Sequence, residues 1–300
     1  MGRVIAFGEC MVELCVTEGE AARVGYAGDT FNTAVYLSRL GVETAYATAL
    51  GHGDRFSRGI LAAMGGEGIA TDLVTQAEGR LPGLYAIERD DAGERSFFYW
   101  RSEAPIRDFF RLADLDALAR AFGAAELIYL SGISLAVIGA EGRAQLAGML
   151  AEAKAKGAAV AFDPNYRARL WADPQAAREA IEAIVPLCRF VSFSSADLEA
   201  LYDGGAAGRA DAWAAAGAEI VARDEDRWVR VHQAGEVAEF APIEASRVVD
   251  TTGAGDSFNA AYLAARLAGK PVAEAVAAAQ ALAGRVVGYP GAIIPREAMA

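Results

Sequence analysis

The sequence predicts an α/β fold in which a mostly parallel central sheet is flanked by helices. Three observations lead to this prediction. Apolar strand patterns alternate with amphipathic helix patterns along most of the chain, and strands joined through helices run parallel in one sheet. The 300 residues are 54% hydrophobic, which is enough for a large core. No repeat or low-complexity linker divides the chain, so we expect a single domain over residues 1–300.

The first part of the chain shows this alternation twice. We predict a strand over residues 3–8, a helix from Asp29 or Thr30 to Leu40, a strand over 44–50 and a helix over 56–65. Gly41 follows the first helix at the position where glycine typically ends helices. The stretch between the first strand and this helix is polar and contains glycine.

The segment over residues 84–101 breaks the alternation. It holds two β-rich arms around the turn residues Asp91-Ala92-Gly93, which predicts a hairpin. Strand alternation places Phe97, Tyr99 and Arg101 on one face of the second arm. Because that face carries several aromatic side chains, we expect it to be buried against another part of the protein.

The second half returns to strands and helices in turn. We predict strands over 125–132, 158–167, 189–195 and 218–223, helices over 141–157 and 174–186, a helix that ends at Gly217, a hairpin turn at Ala234-Gly235, and helices over 254–268 and 272–287. Ligands of such sheets bind outside the carboxyl ends of the strands. The site is therefore expected in the loops that follow them: "GEC", "SGIS", "DPNYR", "SSAD" and "ARDED".

Composition excludes several classes of partner. The net charge of −12 argues against binding to nucleic acid or to an anionic membrane surface, since both require basic residues. It also means that an anionic ligand must be held by a few local cations. No apolar run approaches the roughly 18 residues of a membrane helix. Cys10, Cys15 and Cys188 form no CxxC pair, which predicts free thiols and a cytoplasmic location.

The stretch "DTTGAGDSFNAAYLAARLAG", residues 250–269, has the features of an anion site. Gly253, Ala254 and Gly255 let the backbone approach a ligand, and the helix that follows directs its free N–H groups and positive end at the same place. We therefore predict an anion hole for phosphate there. Asp256 lies in the first turn, where it could accept a proton from a hydroxyl group that attacks the phosphate.

The local pattern leaves a second interpretation of Asp256 open. Acidic residues are common in the first turns of helices, where they stabilise the helix end. The helix end is expected to lower the pKa of the carboxyl group, and a bound phosphate to raise it. On the local pattern alone, the structural role is favoured. The chain has no GxxxxGK[ST] loop, no GxGxxG after a strand, no HExxH and only two histidines, neither placed as in a hydrolase.

Two segments resemble the signatures of a known enzyme family. The segment "DTTGAGDSFNAAYLA" is similar to the C-terminal signature of the ribokinase-like sugar kinases, also called the phosphofructokinase-B family, and matches their pattern DTxGAGD at every fixed position. The segment "GYAGDTFNTAVYLSRLG", residues 25–41, resembles their N-terminal signature, a glycine-rich sugar-binding loop that opens a helix. The resemblance covers essentially the whole chain.

This resemblance has consequences for fold and cofactors. It implies a ribokinase-like fold with a small β-sheet lid formed from about residues 9–30 and 82–102. It implies ATP and Mg²⁺ as cofactors and Asp256 as the catalytic base. Lids often pair between subunits in this family, so a homodimer or higher homo-oligomer is expected through the lid.

Further segments narrow the resemblance to 2-keto-3-deoxygluconate kinases. They are "GECMVEL", "RLPGLYAIERDDAGERSFFYWRSEAP", "LIYLSGISLAV", "FDPNYRARLW" and "GYPGAIIPREAM". The substrate of those enzymes is an acid sugar. The resemblance implies that Arg101 and Arg167 bind its carboxylate, as arginine forks do. It also implies substrate contacts at Gly28, Asp29, Asn32, Tyr85 and Tyr99.

Structural roles for the same residues stay open at this point. Arg101 could be a surface charge at the end of the hairpin, and Arg167 could form a loop ion pair. The two tyrosines could pack within the hairpin. Asp29 or Thr30 could cap the helix that follows.

The nucleotide end departs from the family pattern at two places. The resemblance places Asn165, Ser194, Arg223 and Asp226 at the nucleotide. Family members commonly carry an N-x-x-E motif that organises Mg²⁺, where this chain has Ser194-Ser195-Ala196-Asp197. They also tend to carry Lys-x-Gly where this chain has Arg223 followed by Asp224. We therefore leave the metal ligands unassigned.

The predicted function is ATP-dependent phosphorylation of 2-keto-3-deoxygluconate at its 6-hydroxyl group. Kinases of the same family that act on fructose, ribose or another keto-deoxy sugar acid are the nearest alternative. A non-catalytic sugar or nucleotide sensor is the other, and the altered loop after the strand at 218–223 is the only feature in its favour.

Overall fold

The computed structural model describes residues 2–16, 22–89, 95–244 and 247–299. Their strands are, in chain order, β1 (Val4–Phe7), β2 (Met11–Val16), β3 (Ala22–Ala27), β4 (Thr44–Gly51), β5 (Val74–Ala77), β6 (Leu84–Arg89), β7 (Arg95–Trp100), β8 (Leu127–Ser131), β9 (Ala159–Asp163), β10 (Phe190–Ser194), β11 (Glu219–Arg223), β12 (Val229–Gln233) and β13 (Glu236–Phe240).

These strands form a large sheet and a small one. The large sheet has the order β13-β12-β11-β10-β9-β8-β1-β4-β5, and its strands are parallel except for the antiparallel pairs β11–β12 and β12–β13. The small sheet has the order β3-β2-β6-β7. The prediction of a mostly parallel sheet with a smaller β-sheet is confirmed. Ala234 and Gly235, with φ angles of 52° and 82°, make the predicted hairpin turn between β12 and β13.

Helices cover both faces of the large sheet. They are α1 (Asp29–Arg39), α2 (Arg55–Gly66), α3 (Phe109–Leu112), α4 (Leu115–Ala124), α5 (Gly132–Ala155), α6 (Pro174–Ile184), α7 (Ser195–Tyr202), α8 (Ala206–Ala215), α9 (Ala254–Leu267) and α10 (Val272–Val286). One hydrophobic core joins the sheet to α3 through α8, and a second joins it to α1, α2, α9 and α10. The central strands are buried from both sides, which is why they are apolar along their length.

Several helix starts follow directly from the sequence. Asp54 caps α2, because its Oδ1 atom accepts hydrogen bonds of 2.9 Å from the N–H groups of Phe56 and Ser57. Asp173 caps α6 by accepting from the Ala176 N–H group at 2.8 Å, with proline at the first helical position. Such side chains satisfy N–H groups that a helix leaves free at its start.

The structure differs from the sequence prediction at α5 and at three short elements. The predicted helix over 141–157 begins instead at Gly132, directly after β8, and is interrupted at Gly139, where φ is 69°. The Oγ atom of Ser131 accepts a hydrogen bond of 3.2 Å from the Ser134 N–H group and so starts the helix inside a segment predicted to be a loop. The elements α3, α4 and β5 were not predicted.

The small sheet lies over the carboxyl ends of the large one and is called the lid below. Strand β2 pairs antiparallel with β3 and parallel with β6, and β6 pairs antiparallel with β7. The two arms of the predicted hairpin are β6 and β7, with Tyr85 opposite Tyr99. Its predicted turn at Asp91-Ala92-Gly93 lies outside the described residues.

Two further features bear on the composition. No helix in the described part of the chain is long and apolar enough to cross a membrane. The three cysteines are free thiols, with Cys10 and Cys188 buried and Cys15 half-buried.

Candidate functional site

A cleft of about 640 Å³ lies where the lid meets the carboxyl ends of β9, β10 and β11. It is lined by every residue that the sequence analysis assigned to a site except Asp226: Gly28, Asp29, Asn32, Tyr85, Tyr99, Arg101, Asn165, Arg167, Ser194, Arg223, Gly253, Ala254, Gly255 and Asp256. The fold thus brings together residues from both signatures, from the lid and from three strand ends.

The loop before α9 is held in place by backbone geometry and by one buried acid. Gly253 has φ 77°, and a Cβ atom there would lie 2.6 Å from the carbonyl oxygen of Ala292, so the position requires glycine. The Asp250 carboxyl group accepts hydrogen bonds from the N–H groups of Thr252 at 2.8 Å and Gly291 at 2.9 Å. The start of α9 is therefore fixed against the segment around Ala292.

The N–H groups at this helix start are available to an anion. Within the described residues, the N–H groups of Gly253 and Gly255 donate to no protein acceptor, whereas that of Ala254 donates to the Thr251 carbonyl oxygen at 3.3 Å. The first N–H groups of a helix lack partners inside the helix and carry its positive end. Free N–H groups at the start of a helix are what the predicted anion hole requires, although the N–H group of Ala254 is partly engaged in a turn.

Asp256 is held by the first helix of the chain. Its Oδ2 atom accepts a hydrogen bond of 2.8 Å from the Asn32 Nδ2 atom, and its carbonyl oxygen accepts one of 3.2 Å from the Thr33 hydroxyl. Burial raises the pKa of Asp256 to about 8, with a further rise from the nearby Asp29 carboxylate and an opposing effect from the Asn32 hydrogen bond. The net shift is therefore upward, opposite to the lowering expected from the helix end alone, and burial is its largest cause.

Asp29 and Asn165 form the wall beside Asp256. The Asn165 Nδ2 atom donates to the Asp29 Oδ2 atom at 2.9 Å, and the Asp163 Oδ1 atom accepts from the Asn165 N–H group at 3.0 Å. Burial raises the pKa of Asp29. Next to Asp29, a Cβ atom at Gly28 would lie 2.2 Å from the Glu9 carbonyl oxygen, so this glycine is required by the close approach of two chain segments.

Arg223 supports the start of α9. Its guanidinium group donates to the Gly255 carbonyl oxygen at 3.1 Å and to the Asn259 Oδ1 atom at 3.0 Å, and its Nη2 atom lies 3.4 Å from the Asp163 Oδ2 atom. Asn259 also donates to Asp163 at 2.7 Å. No role was predicted for Asn259 or Asp163, although Asp163 begins the "DPNYR" loop that was expected to face the site.

The loop after β11 is turned partly away from the cleft. The Asp224 Oδ1 atom accepts from the Ser195 hydroxyl at 2.6 Å, and its other oxygen pairs with Arg230. Ser194 lines the cleft at the end of β10. Asp226, which was predicted to contact the nucleotide, is exposed and does not line the cleft, although Asp224 and Arg227 on either side of it do.

Aromatic rings form the lid side of the cleft. The rings of Tyr85 and Tyr99 stack with centroids 5.7 Å apart, and the Phe97 ring lies 6.5 Å from that of Tyr99. The Tyr85 hydroxyl donates to the Glu13 carboxylate, and burial raises its pKa well above the ordinary value. Because that hydroxyl is engaged inside the lid, Tyr85 presents its ring rather than its hydroxyl group to the cleft.

Arg101 forms a buried ion pair with Glu9. The two side chains are 9% and 4% exposed, and the Nη2 atom of Arg101 contacts the Oε2 atom of Glu9. Burial raises the pKa of Glu9, and the Arg101 charge opposes this rise. The Arg101 Nε and Glu9 Oε1 atoms are buried and have no hydrogen-bond partner among the described residues. Glu9 was missed, although it lies in the "GEC" loop predicted to face the site.

Arg167 also has a carboxylate partner. Its Nη1 atom lies 2.9 Å from the Asp197 Oδ1 atom and donates to the Tyr166 carbonyl oxygen at 2.7 Å. Burial raises the pKa of Asp197, and Arg167 opposes this rise. Two residues further on, the Arg169 Cζ atom lies 4.0 Å from the centroid of the Tyr99 ring. Arg169 was not singled out from the sequence.

Several known proteins are similar to this chain in sequence and in architecture. Residues 1–299 match the pfkB family carbohydrate kinases. A 2-dehydro-3-deoxygluconokinase of Escherichia coli (strain K12) is 39% identical over 318 residues, covering 99% of this chain and 98% of the relative. One of Dickeya dadantii (strain 3937) is 38% identical over 306 residues, with the same coverage. A crystal structure of a PfkB protein from Polaromonas sp. JS666 has a TM-score of 0.84 at 25% identity, covering 97% of this chain and 98% of that one.

Proposed function

The chain belongs to the pfkB family of carbohydrate kinases, and we propose that it transfers the γ-phosphoryl group of ATP to the 6-hydroxyl group of 2-keto-3-deoxygluconate. This compound is also called 2-dehydro-3-deoxygluconate, and the product is 2-keto-3-deoxy-6-phosphogluconate. Two 2-dehydro-3-deoxygluconokinases that align with nearly the full chain at 38–39% identity support the choice of substrate.

The observation that carries the proposal is the position of Asp256. It lies directly beside the anion hole and is fixed by Asn32 in the predicted sugar-binding loop. The sugar hydroxyl gives its proton to the Asp256 carboxylate while its oxygen forms a bond to the γ-phosphorus. The bond from that phosphorus to the β–γ bridging oxygen breaks, and ADP leaves.

The start of α9 stabilises the group in transfer. Negative charge on the phosphoryl oxygens is placed near the N–H groups of Gly253, Ala254 and Gly255, at the positive end of the helix. Arg223 holds this loop through the Gly255 carbonyl oxygen. With Asn165 and Ser194, it is proposed to face the nucleotide.

Mg²⁺ is proposed to arrive with the nucleotide. In kinase sites this ion is usually held by one or two carboxylates, water and substrate phosphates rather than by a cage of protein ligands. Asp224, directly after β11, lines the cleft at the proposed nucleotide end, whereas Asp197 is paired with Arg167. Asp224 would hold water around the ion, which would neutralise phosphate charge when it is bound.

The opposite end of the cleft is proposed to hold the sugar acid. Asp29 and Asn32 would bind hydroxyl groups close to Asp256, with Gly28 allowing close approach, and the rings of Tyr85 and Tyr99 would pack against the carbon chain. Arg101 and Arg167 are proposed to contact the carboxylate while keeping their protein partners. Closure of the lid would exclude water, which would otherwise compete as phosphoryl acceptor.

The outer face of the lid supports a homodimer. Neighbouring positions on that face carry Leu84 opposite Trp100 and Ala86 opposite Phe98. Trp100 and Phe98 are 62% and 47% exposed, so the strands present an apolar stripe that a second lid could cover. The free thiols are in keeping with a reducing compartment, and the cytoplasm is the proposed location.

Release of ADP with a panel of acceptors tests the proposal. The panel contains 2-keto-3-deoxygluconate, 2-keto-3-deoxygalactonate, fructose and ribose. We expect the highest kcat/KM with a keto-deoxy acid and little turnover with the neutral sugars. A preference for fructose or ribose would replace this proposal by a different sugar kinase. Absence of turnover with every acceptor would favour the alternative that the protein is a non-catalytic sugar or nucleotide sensor.

Asp256→Asn tests the assignment of the base. We expect kcat to fall by about 10²–10⁴ while calorimetric binding of the sugar acid persists, because a general base acts mainly in the transition state. Asp116→Asn is the matched control, since Asp116 also lies in the first turn of a helix but is exposed and outside the cleft. Retention of most turnover by Asp256→Asn would show that the base is another group.

A further inference from the structure

Arginines that line the cleft differ in whether the protein already neutralises them. Three have carboxylate partners: Arg101 with Glu9, Arg167 with Asp197, and Arg223 with Asp163. Two others, Arg169 and Arg227, also line the cleft, and no carboxylate of the described residues pairs with either. Arg227 lies in the turn after β11, at the proposed nucleotide end. Among the described residues, Arg169 is therefore the cleft-lining arginine at the lid end that no carboxylate neutralises.

Arg169 is positioned by the lid. It lies in a short 3₁₀ turn, Ala168–Leu170, that follows the "DPNYR" loop, and its Cζ atom is 4.0 Å from the centroid of the Tyr99 ring. Tyr99 is in turn stacked on Tyr85. A guanidinium group that lies over a ring face gains a cation–π attraction and keeps its N–H edge free. That edge has the fork geometry that matches a carboxylate at two points.

The paired arginines are poorer receptors for a substrate carboxylate. An anion that binds Arg101 meets the negative charge of Glu9 at the same guanidinium group, and one that binds Arg167 meets that of Asp197. The two negative charges repel each other, and the substrate anion must share the guanidinium group with the protein carboxylate. An anion at Arg169 meets no such competitor among the residues that the structure describes.

We propose that Arg169 is the specificity-determining residue for the acidic group of the substrate. Stacked on Tyr99, it donates two hydrogen bonds from its guanidinium edge to the sugar carboxylate, while Arg101 and Arg167 contact the carboxylate with their charge already shared with Glu9 and Asp197. This inference rests on the proposed function, since it requires a sugar acid as the acceptor. It adds a residue to the substrate site and ranks it above the two paired arginines.

Two acceptors that differ only in charge test this assignment. One is 2-keto-3-deoxygluconate, and the other is its carboxamide, which is uncharged. In Arg169→Ala we expect KM for the acid to rise about tenfold or more, with KM for the carboxamide changed less than about twofold. Arg169→Lys keeps the charge but loses the two-point geometry. We expect its KM for the acid to lie between that of Arg169→Ala and that of the wild type. The Kd of both compounds, measured by calorimetry, checks that KM reports binding.

Arg189→Ala is the matched control. Its guanidinium group also lies over an aromatic ring, 4.9 Å from the centroid of Phe190, but outside the cleft. We expect unchanged KM for both acceptors in this variant. Equal effects of Arg169→Ala on acid and carboxamide, or no effect in an active enzyme, would overturn the role of Arg169 and leave the proposed function intact. A wild-type chain that fails to phosphorylate the acid would overturn both.

Discussion

The Nδ2 atom of Asn32 donates a hydrogen bond of 2.8 Å to the Oδ2 atom of Asp256, across 224 positions of sequence. The bond joins the first turns of α1 and α9, and therefore joins the loop proposed to bind the sugar to the proposed catalytic base. It also stabilises the ionised form of that base, because an amide donor favours a carboxylate over a carboxylic acid.

The pH dependence of kcat/KM follows from the raised pKa of Asp256. A carboxyl group with a pKa of about 8 is mostly protonated at neutral pH, and only its ionised form can accept a proton. We therefore expect kcat/KM to increase with pH through a midpoint near 8, since this parameter reports the free enzyme. A profile that stays flat from about pH 6 to about pH 9 would contradict Asp256 as the titrating base.

Two neighbours of Asp256 should shift this midpoint in opposite directions. Asn32→Ala removes the hydrogen bond that lowers the pKa, so the midpoint is expected to move to higher pH. Asp29→Asn removes the negative charge that raises it, so the midpoint is expected to move to lower pH. Both variants are also expected to raise KM for the sugar, so the position of the midpoint is the measurement. Shifts of the same sign would contradict this arrangement.

The buried pair of Glu9 and Arg101 makes a prediction about stability. Arg101→Met leaves the Glu9 carboxyl group without its cation in a buried position, which is expected to lower the free energy of unfolding by about 3–5 kcal/mol. The double variant Glu9→Gln with Arg101→Met has no uncompensated charge. We therefore expect it to lose less free energy of unfolding than Arg101→Met alone. Urea unfolding of the wild type, the two single variants and the double variant gives the interaction free energy between Glu9 and Arg101. Additive losses would show that the two residues do not act as a pair.

The two glycines at the ends of α9 make a matched comparison. Gly253 and Gly269 have similar φ angles, 77° and 74°, so alanine is strained at both and should cost about 1–2 kcal/mol from this cause alone. At Gly253 the added Cβ atom would also meet Ala292, whereas at Gly269 it would have no neighbour within 4 Å. We expect Gly253→Ala to lose more stability and most of kcat, and Gly269→Ala to keep kcat. Equal kcat values would show that the anion hole tolerates displacement.

The sequence predicted the central sheet because its signal is local. Strands such as β8 and β9 are apolar along their length, and the helices between them have the period of an amphipathic helix. The start of α5 was placed too late, because Gly139 interrupts the helix and the residues before it were interpreted as a loop. The strands β2 and β3 were not delimited, since their polar and glycine-containing sequence has no clean alternation.

Within the site, the sequence predicted which residues lie together, but not their electrostatics. The two signatures identified Asp256 and Asn32, which the structure places in contact. The pKa of Asp256 could not be predicted, because Asp29 and the surrounding protein reach it only through the tertiary fold. The partners of Arg101 and Arg167 escaped notice for the same reason, since Glu9 and Asp197 lie far from them in sequence.

The contact between Gly253 and Ala292 has a consequence for protein synthesis. Residues near the end of the chain form a wall of the phosphate loop and are tied to the first helix, where the Tyr36 hydroxyl donates to the Ala292 carbonyl oxygen at 2.7 Å and accepts from the Ile294 N–H group at 3.1 Å. A nascent chain released before Ala292 has every proposed catalytic residue but lacks this wall. Products that terminate before Ala292 are therefore expected to be inactive.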